Sequence, residues 1–174
     1  RELVALDSGQ PERYLVMGRS TLRSLVDGLG SIAANPTLAL RYSDRSQSFS
    51  INLQGGLQRL TGNQVEQLAR YQDPTRPEDS RQDNQQLVVR SLLREMALPE
   101  QLGQLSGLVK SLNAGVVTNL SQAETLSLLA AALSHGEAVE FSRVPLAPGS
   151  ANVPLRQIAR SAPEPLWPAP PTAN

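Results

Sequence analysis

This sequence of 174 residues contains no cysteine and a single histidine, and each of these shortages excludes a kind of site. Without cysteine, neither a disulfide framework nor a thiolate metal site can form. The one histidine, His135, precedes Gly136 near a predicted helix end, which disfavours serine–histidine catalysis and histidine-rich metal binding. No run approaches 18 apolar residues, so the sequence offers no transmembrane helix and no membrane anchor of that kind.

An excess of charge of either sign is also missing, because 16 basic residues balance 16 acidic ones. The chain therefore has no global field to hold nucleic acid or an anionic membrane, and any anion site must be a local arginine cluster. Every basic residue except Lys110 is arginine, which reflects either phosphate recognition by planar guanidinium groups or the base composition of the genome. Nucleic-acid binding is not expected, since no predicted helix carries a basic, base-reading face.

Proline divides the chain into a folded part, residues 1–144, and a proline-rich tail, residues 145–174. Eight of the 13 prolines lie in the tail. The run at 163–171 favours an extended polyproline-like conformation, which suits a linker or a ligand for an aromatic groove on a partner. The chain opens directly in folded-domain sequence at Arg1, which favours a processed product, an expression fragment or part of a longer chain.

The apolar patterns of the folded part predict an α/β fold, with a central β-sheet flanked by helices. Apolar and β-like runs predict strands at 13–18, 37–42, 48–53 and 138–144. The polar turn at 43–46 predicts that the second and third of these strands form a hairpin. Helical apolar spacing predicts helices at about 20–30, 62–72, 82–97, 99–112 and 121–135.

Capping residues mark where several of these helices begin. Ser20 or Thr21 can cap the first helix, and Thr61 can cap the second. Ser121 and Glu124 have the spacing of a capping box for the last helix. That helix carries Leu126, Leu128, Leu129 and Leu133.

Three arginines flank the start of the helix predicted at 82–97, namely Arg70, Arg76 and Arg81. A helix N-terminus presents free N–H groups and partial positive charge, so arginines gathered beside it would form a phosphate site. Alternatively, these arginines pair on a solvated surface with neighbouring carboxylates, which are Asp73, Glu78, Asp79 and Asp83.

The stretch 53–87 also resembles the LytR-CpsA-Psr family, whose pattern is close to L-x-P-G-x-Q-x-L-x-G-x-x-A-L-x-Y-x-R-x-R. In that family a Gly-Asp loop, an arginine and an Arg-Gln-Gln run follow. The matching residues lie without a gap at Leu53, Gly56, Gln58, Leu60, Gly62, Arg70, Arg81, Gln85 and Gln86. Upstream, the family's L-V-D-A-L-G-G-V element is matched by Leu25, Val26, Asp27, Leu29 and Gly30. The resemblance covers roughly residues 10–135.

The resemblance implies a cell-envelope phosphotransferase that binds a polyprenyl-pyrophosphate-linked glycan and transfers it to a cell-wall polymer. The residues that it implies for pyrophosphate binding are Arg70, Arg81, Gln85, Arg76 and Gln72. Glu78 and Asp79 would be acidic residues close to a metal, and Mg²⁺ is the implied cofactor. No catalytic residue and no metal ligand is assigned. The full-length protein is expected to be extracytoplasmic and membrane-anchored.

The chain departs from the family pattern at several charged positions. Gln72 replaces the second arginine of the pair, and Asn84 replaces the arginine before the two glutamines. The Gly-Asp of the family falls on Pro77-Glu78 or, with a slip of one residue, on Asp79. The N-terminal half of the family's domain is expected to come from a missing segment or from a second chain. The chain is therefore expected to be a partial domain, acting as a transferase module, an inactive lipid-glycan binding module or a protein-interaction module.

Overall fold

A computed structural model describes residues 13–44, 46, 49–103, 107, 115–134, 139 and 141. The chain divides into two compact units, Leu15–Glu140 and a second unit that combines Arg1–Tyr14 with Phe141–Asn174. All of the helices and strands described here belong to the first unit. The predicted tail at 145–174 lies outside the described residues, as does most of the predicted strand at 138–144.

The first unit contains both helices and short strands, which confirms the α/β class. The strands are β1 (Leu15–Met17), β2 (Ile32–Ala34), β3 (Leu40–Asp44), β4 (Phe49–Leu53), β5 (Gln58–Leu60) and β6 (Val116–Thr118). The helices are α1 (Arg19–Gly28), α2 (Gly62–Arg70), α3 (Pro77–Met96), α4 (Pro99–Leu102) and α5 (Gln122–Ser134).

The described strands pair two by two, and every pair is antiparallel. β3 and β4 form the predicted hairpin, with Leu40 opposite Leu53 and Asp44 opposite Phe49. β2 pairs with β5, and β1 pairs with the distant β6. The sequence patterns did not indicate β2, β5 or β6, because three residues are too few to establish a period-two alternation.

Two helix starts differ from the sequence prediction. α1 begins at Arg19 with Gly18 as its N-cap, so Ser20 and Thr21 lie inside the helix and do not cap it. α3 begins at Pro77, five residues before the predicted start. Proline is favoured at the first helical position, because an N–H group there has no partner within the helix and proline lacks that group. The residues that the sequence suggests as a loop before position 82 therefore form the first turn of α3.

The other predicted caps are confirmed. Thr61 caps α2 in a capping box with Gln64, whose side-chain oxygen accepts the Thr61 N–H at 3.0 Å. Ser121 and Glu124 form the predicted capping box of α5. In α5, however, Leu126 and Leu128 are exposed, and only Leu129 and Leu133 pack against the core.

One apolar core joins α1, α2 and α3 to the strands β2, β3, β4 and β5. It is built from residues at helical spacing on the helices and at alternating positions on the strands, as in β4, where Ile51 and Leu53 point inward. Burying a leucine or valine side chain contributes roughly 1.5–3 kcal/mol. The completely enclosed side chains of this core include Val26, Ile32, Leu60, Val65 and Leu68.

Gly62 lets α1 and α2 approach each other closely. A Cβ atom at this position would lie 2.4 Å from the backbone oxygen of Arg23 and 2.7 Å from Oδ1 of Asp27. The Gly62 N–H instead donates a hydrogen bond of 2.8 Å to that Asp27 oxygen. Asp27 and Gly62, which both match the family pattern, therefore hold the N-terminus of α2 against α1.

Candidate functional site

Most of the predicted phosphate-binding residues lie where the end of α2 meets the start of α3. The Gln85 amide donates from Nε2 to the backbone oxygen of Ala69, 3.4 Å away, beside Arg70. The Gln72 amide donates to Oε1 of Glu78 over 3.4 Å, and Arg81 forms an ion pair with the other oxygen of Glu78. The structure thus links Gln72, Arg81 and Gln85 through contacts across this junction.

The loop between the two helices is fixed by its own hydrogen bonds. Oδ1 of Asp73 accepts the backbone N–H of Thr75 at 2.8 Å and the Thr75 hydroxyl at 2.6 Å. Both bonds hold the pKa of Asp73 below its usual range, and the bond from the Thr75 hydroxyl has the larger effect. The positive charge of Arg76 lowers the pKa further. The Asp73 N–H donates to the Ser80 hydroxyl at 2.8 Å, which ties the loop to the first turn of α3.

Carboxylates outnumber arginines in segment 73–83. Its two arginines, Arg76 and Arg81, pair with Asp83 at 3.6 Å and with Glu78. The segment has two further carboxylates, Asp73 and Asp79, so its formal charge is −2. Glu78 and Asp79 lie in the first turn of α3, where negative charge stabilises the helix dipole. Arg76 and Arg81 are therefore paired with neighbouring carboxylates, as the alternative of a solvated surface predicts.

Arg70 has different surroundings from the other two predicted arginines. Its Nη1 donates to Oε1 of Glu66, 3.3 Å away and one helical turn earlier. Its guanidinium carbon lies 3.5 Å from the centre of the Phe49 ring, in a cation–π arrangement. The guanidinium is therefore held between a carboxylate and an aromatic face, with a quarter of the side chain exposed.

Glu66 also contacts two arginines of α1. Nη1 of Arg23 lies 3.4 Å from Oε2, and Nη1 of Arg19 lies 4.0 Å from Oε1. We call Glu66 and its three partners, Arg19, Arg23 and Arg70, the Glu66 cluster. Its formal charge is +2, and it is centred on a carboxylate side chain that is only 11% exposed.

Sequence analysis did not single out Glu66, Arg19, Arg23 or Phe49. The local signal was present, since Arg19 and Arg23 are four residues apart, as are Glu66 and Arg70, and such residues share a helix face. The contact between the two faces depends on how α1 packs against α2, and neither spacing reveals that.

The described part of the chain has neither a cluster of metal-binding side chains nor a helix suited to a membrane. No group of three histidine, aspartate or glutamate side chains within it is arranged to hold a metal ion. The acidic residues expected near magnesium, Glu78 and Asp79, do not form such a group with their neighbours. Within the same residues, no helix has the length and apolar character needed to span a bilayer.

Solved structures share this fold at low sequence identity. The LytR-Csp2A-Psr enzyme from Actinomyces oris aligns over 88% of this chain and 62% of its own, with a TM-score of 0.61 and 16% identity. B. subtilis TagV aligns over 71% of this chain and 47% of its own, with a TM-score of 0.56 and 16% identity. A protein described as a transcriptional regulator from Enterococcus faecalis has a TM-score of 0.57 at 20% identity, covering 78% of this chain and 48% of its own.

The chain spans about half the length of several of these structures. No curated protein matches it. The model of the LytR_cpsA_psr family matches residues 7–159, which is most of the chain. The chain therefore belongs to the LytR-CpsA-Psr family, as the sequence motifs indicated.

Proposed function

We propose that this chain is the part of a cell-envelope phosphotransferase that binds the diphosphate of a polyprenyl-linked glycan. The observation that carries the proposal is the junction of α2 and α3, where Arg70 ends α2, Gln72 follows it, and Arg81 and Gln85 lie in the first half of α3. Guanidinium and amide groups donate to phosphate oxygens, and an arginine can span two of them at once.

In the proposed reaction, a hydroxyl oxygen of the cell-wall polymer attacks the phosphorus that carries the glycan. The bond from that phosphorus to the polyprenyl phosphate breaks, and the hydroxyl proton passes to solvent or to a base. Arg70 would stabilise the charge that builds up on the phosphate oxygens, which is the main demand of phosphoryl transfer. Magnesium would lower the same charge, but the described residues supply no three-ligand set for it, so we assign no step to the metal.

The remaining parts of the proposal concern location and partners. We propose an extracytoplasmic setting, where the cell-wall polymer is available as the acceptor. We also propose that the rest of the domain, from the same or a second chain, completes the site, since this chain spans only about half of the matched structures. Leu15, Val16 and Val117 on the β1–β6 pair are exposed apolar side chains that such a segment could cover.

A second candidate function is binding without catalysis. The observations that favour it are the neutral Gln72 at an arginine position and the pairing of Arg76 and Arg81 with carboxylates. On this alternative the chain still holds the lipid-linked diphosphate, but it transfers nothing even when the rest of the domain is present.

The test is titration of the chain with a short polyprenyl-pyrophosphate, with and without magnesium, beside a transfer assay. We expect weak binding by the chain alone, and transfer only after the complementary part of the domain is added. Equal affinity of the wild type, Arg70→Ala and Arg81→Ala would contradict a diphosphate site at the junction. Binding without transfer in the completed domain would favour the second candidate.

A further inference from the structure

Two glutamates of this unit are buried beside arginine, and they differ in how many arginines surround them. Glu95 on α3 has a side chain that is 5% exposed and accepts a hydrogen bond of 2.6 Å from Nη2 of Arg59. Arg59 also donates to the Ser31 hydroxyl at 2.8 Å and to the Ser31 carbonyl at 2.7 Å. One positive charge meets one negative charge, and the guanidinium is bound on several sides, as expected of a structural ion pair.

The Glu66 cluster is unbalanced by comparison. One carboxylate faces three guanidinium groups, so two positive charges remain in excess. A network that served only stability would gain from balancing its charges, because like charges held close together repel. Arg19 and Arg23 also keep 68% and 49% of their side-chain surface exposed, so a dissolved anion can reach them.

Most of the donor capacity of the cluster is directed away from Glu66. Each of the three contacts with Glu66 uses only the Nη1 atom of its arginine. A guanidinium has five N–H donors in a planar fork, so each group can present further donors to another anion. Glu66 therefore contacts all three guanidinium groups without saturating their donors.

The backbone of α1 and α2 holds the cluster in place before any ligand arrives. Gly62 contacts the backbone of Arg23 directly, and Asp27 accepts the Gly62 N–H at 2.8 Å. The face of α1 that carries Arg19 and Arg23 thus lies against the face of α2 that carries Glu66 and Arg70. A site assembled in advance avoids part of the entropic cost of ordering side chains when a ligand binds.

We infer that Arg19, Arg23 and Arg70 form one anion site around Glu66, and that its ligand is a diphosphate group. The diphosphate that joins a polyprenyl chain to a glycan carries two negative charges and four non-bridging oxygens, which suits an excess of two charges and donor groups that can each span two oxygens. The inference rests on the proposed function, since Arg70 belongs to both, and it adds two arginines of α1 to the binding site. Glu66 is a positioning residue that aligns the arginines and lowers the affinity for the ligand.

The experiment is calorimetric titration of the full chain with inorganic pyrophosphate, orthophosphate and a short polyprenyl-pyrophosphate. The double variant Arg19→Gln/Arg23→Gln should weaken pyrophosphate binding by about tenfold or more, since charge-assisted hydrogen bonds are lost. Its matched control is Arg90→Gln/Arg94→Gln, an exposed pair with the same spacing on α3, which should bind like the wild type. Equal affinity of the wild type and the α1 double variant would overturn the inference.

Glu66→Gln provides a second arm with the opposite sign. Neutralising Glu66 removes the internal competitor, so pyrophosphate binding should tighten by roughly threefold to tenfold. Glu95→Gln makes the same change at the other buried glutamate and should leave the affinity unchanged. Affinity in Glu66→Gln that stays at or below the wild-type value would overturn the role given to Glu66. Should this variant fail to fold, the exposed arginine pair on α1 decides the inference without it.

The ligand arms separate this inference from the proposed function. Pyrophosphate binding that depends on Arg19 and Arg23, without any gain from the polyprenyl chain and without transfer, would leave the anion site standing and remove the transferase. Binding of the polyprenyl-pyrophosphate that depends on Arg81 but not on Arg19 and Arg23 would leave the proposed function standing and remove the anion site. Failure of both the wild type and Glu66→Gln to bind pyrophosphate would overturn the anion site.

Discussion

The Glu66 cluster and segment 73–83 both combine arginines with acidic residues, but in opposite proportions. The cluster has three arginines around one glutamate, whereas the segment has two arginines among four carboxylates. Glu78 and Asp79 lie in the first turn of α3, where negative charge stabilises the helix, and Asp83 and Glu78 pair with Arg76 and Arg81. Arginine number alone therefore does not define an anion site, because the local balance of charge decides how strongly a phosphate is attracted.

The largest effect on stability should come from a substitution that separates α1 and α2, the two helices that carry the Glu66 cluster. Gly62→Ala would place a Cβ atom 2.4 Å from the backbone of Arg23, so α1 and α2 must move apart. Overpacking of this kind costs about 3 kcal/mol, and we expect a loss of about 10 °C in Tm. Thermal unfolding followed by circular dichroism measures this loss.

The control for that substitution is Gly103→Ala. Gly103 has a φ of −65°, and no atom lies within 4 Å of a Cβ added there. The Tm of the Gly103→Ala variant should therefore remain near the wild-type value. Equal stability of the Gly62→Ala and Gly103→Ala variants would show that α1 and α2 do not depend on a close contact at Gly62.

A smaller effect, but the sharpest difference between the two regions, is expected from removing one arginine of each. Arg70→Ala should weaken pyrophosphate binding by about 30-fold, which corresponds to about 2 kcal/mol. Arg81→Ala should weaken it by only about threefold, because Glu78 already offsets the Arg81 charge. Arg94→Ala, roughly 20 Å along α3 from Arg81, serves as the control. A larger loss in Arg81→Ala than in Arg70→Ala would reverse the order of the two regions.

Neutralising a carboxylate of segment 73–83 should bring its balance of charge closer to that of the Glu66 cluster. In Glu78→Gln the ion pair with Arg81 is lost, so the Arg81 guanidinium becomes available to a phosphate. Pyrophosphate affinity should rise by about threefold, on the scale of an exposed charge pair. The gain should disappear in the double variant Glu78→Gln/Arg81→Ala, and a gain that survives there would point to a source other than Arg81.

The smallest expected effect is the pH dependence of the loop in the segment. The pKa of Asp73 is lowered in the folded protein, so its ionised form stabilises the fold above the ordinary pKa of 3.8. That contribution is lost as the pH falls through the lower folded-state pKa. The Tm of Asp73→Asn should therefore lie slightly below that of the wild type at neutral pH and converge with it under strongly acidic conditions.

Thr75→Val tests the cause of that pKa shift, because it removes the hydroxyl that contributes most to it. The pH dependence should shrink in this variant, while the wild type keeps it. An undiminished dependence would place the origin of the shift elsewhere in the loop.

Several features of the fold followed from local chemistry and were predicted from the sequence. Thr61 and Ser121 cap helices because their hydroxyls can satisfy free N–H groups, and that requires only a few neighbouring residues. The β3–β4 hairpin followed from two apolar runs around a polar turn. The family was evident from the order and spacing of residues such as Asp27, Gly62 and Arg70.

Other features depended on partners that are distant along the chain. The short strands β2, β5 and β6 are strands only because each finds a partner, and β1 pairs with β6 across about a hundred residues. The exposure of Leu126 and Leu128 likewise depends on what α5 packs against, which its own spacing does not specify.

The sequence by itself determined the fold class, the family and the presence of Arg70, Gln72, Arg81 and Gln85 near one helix junction. The tertiary structure alone decided which arginines share a carboxylate, because Arg19 and Arg23 reach Glu66 across more than forty residues of chain. The physical reason is that charge acts through space. Which charges meet is set by the approach of α1 to α2 at Gly62.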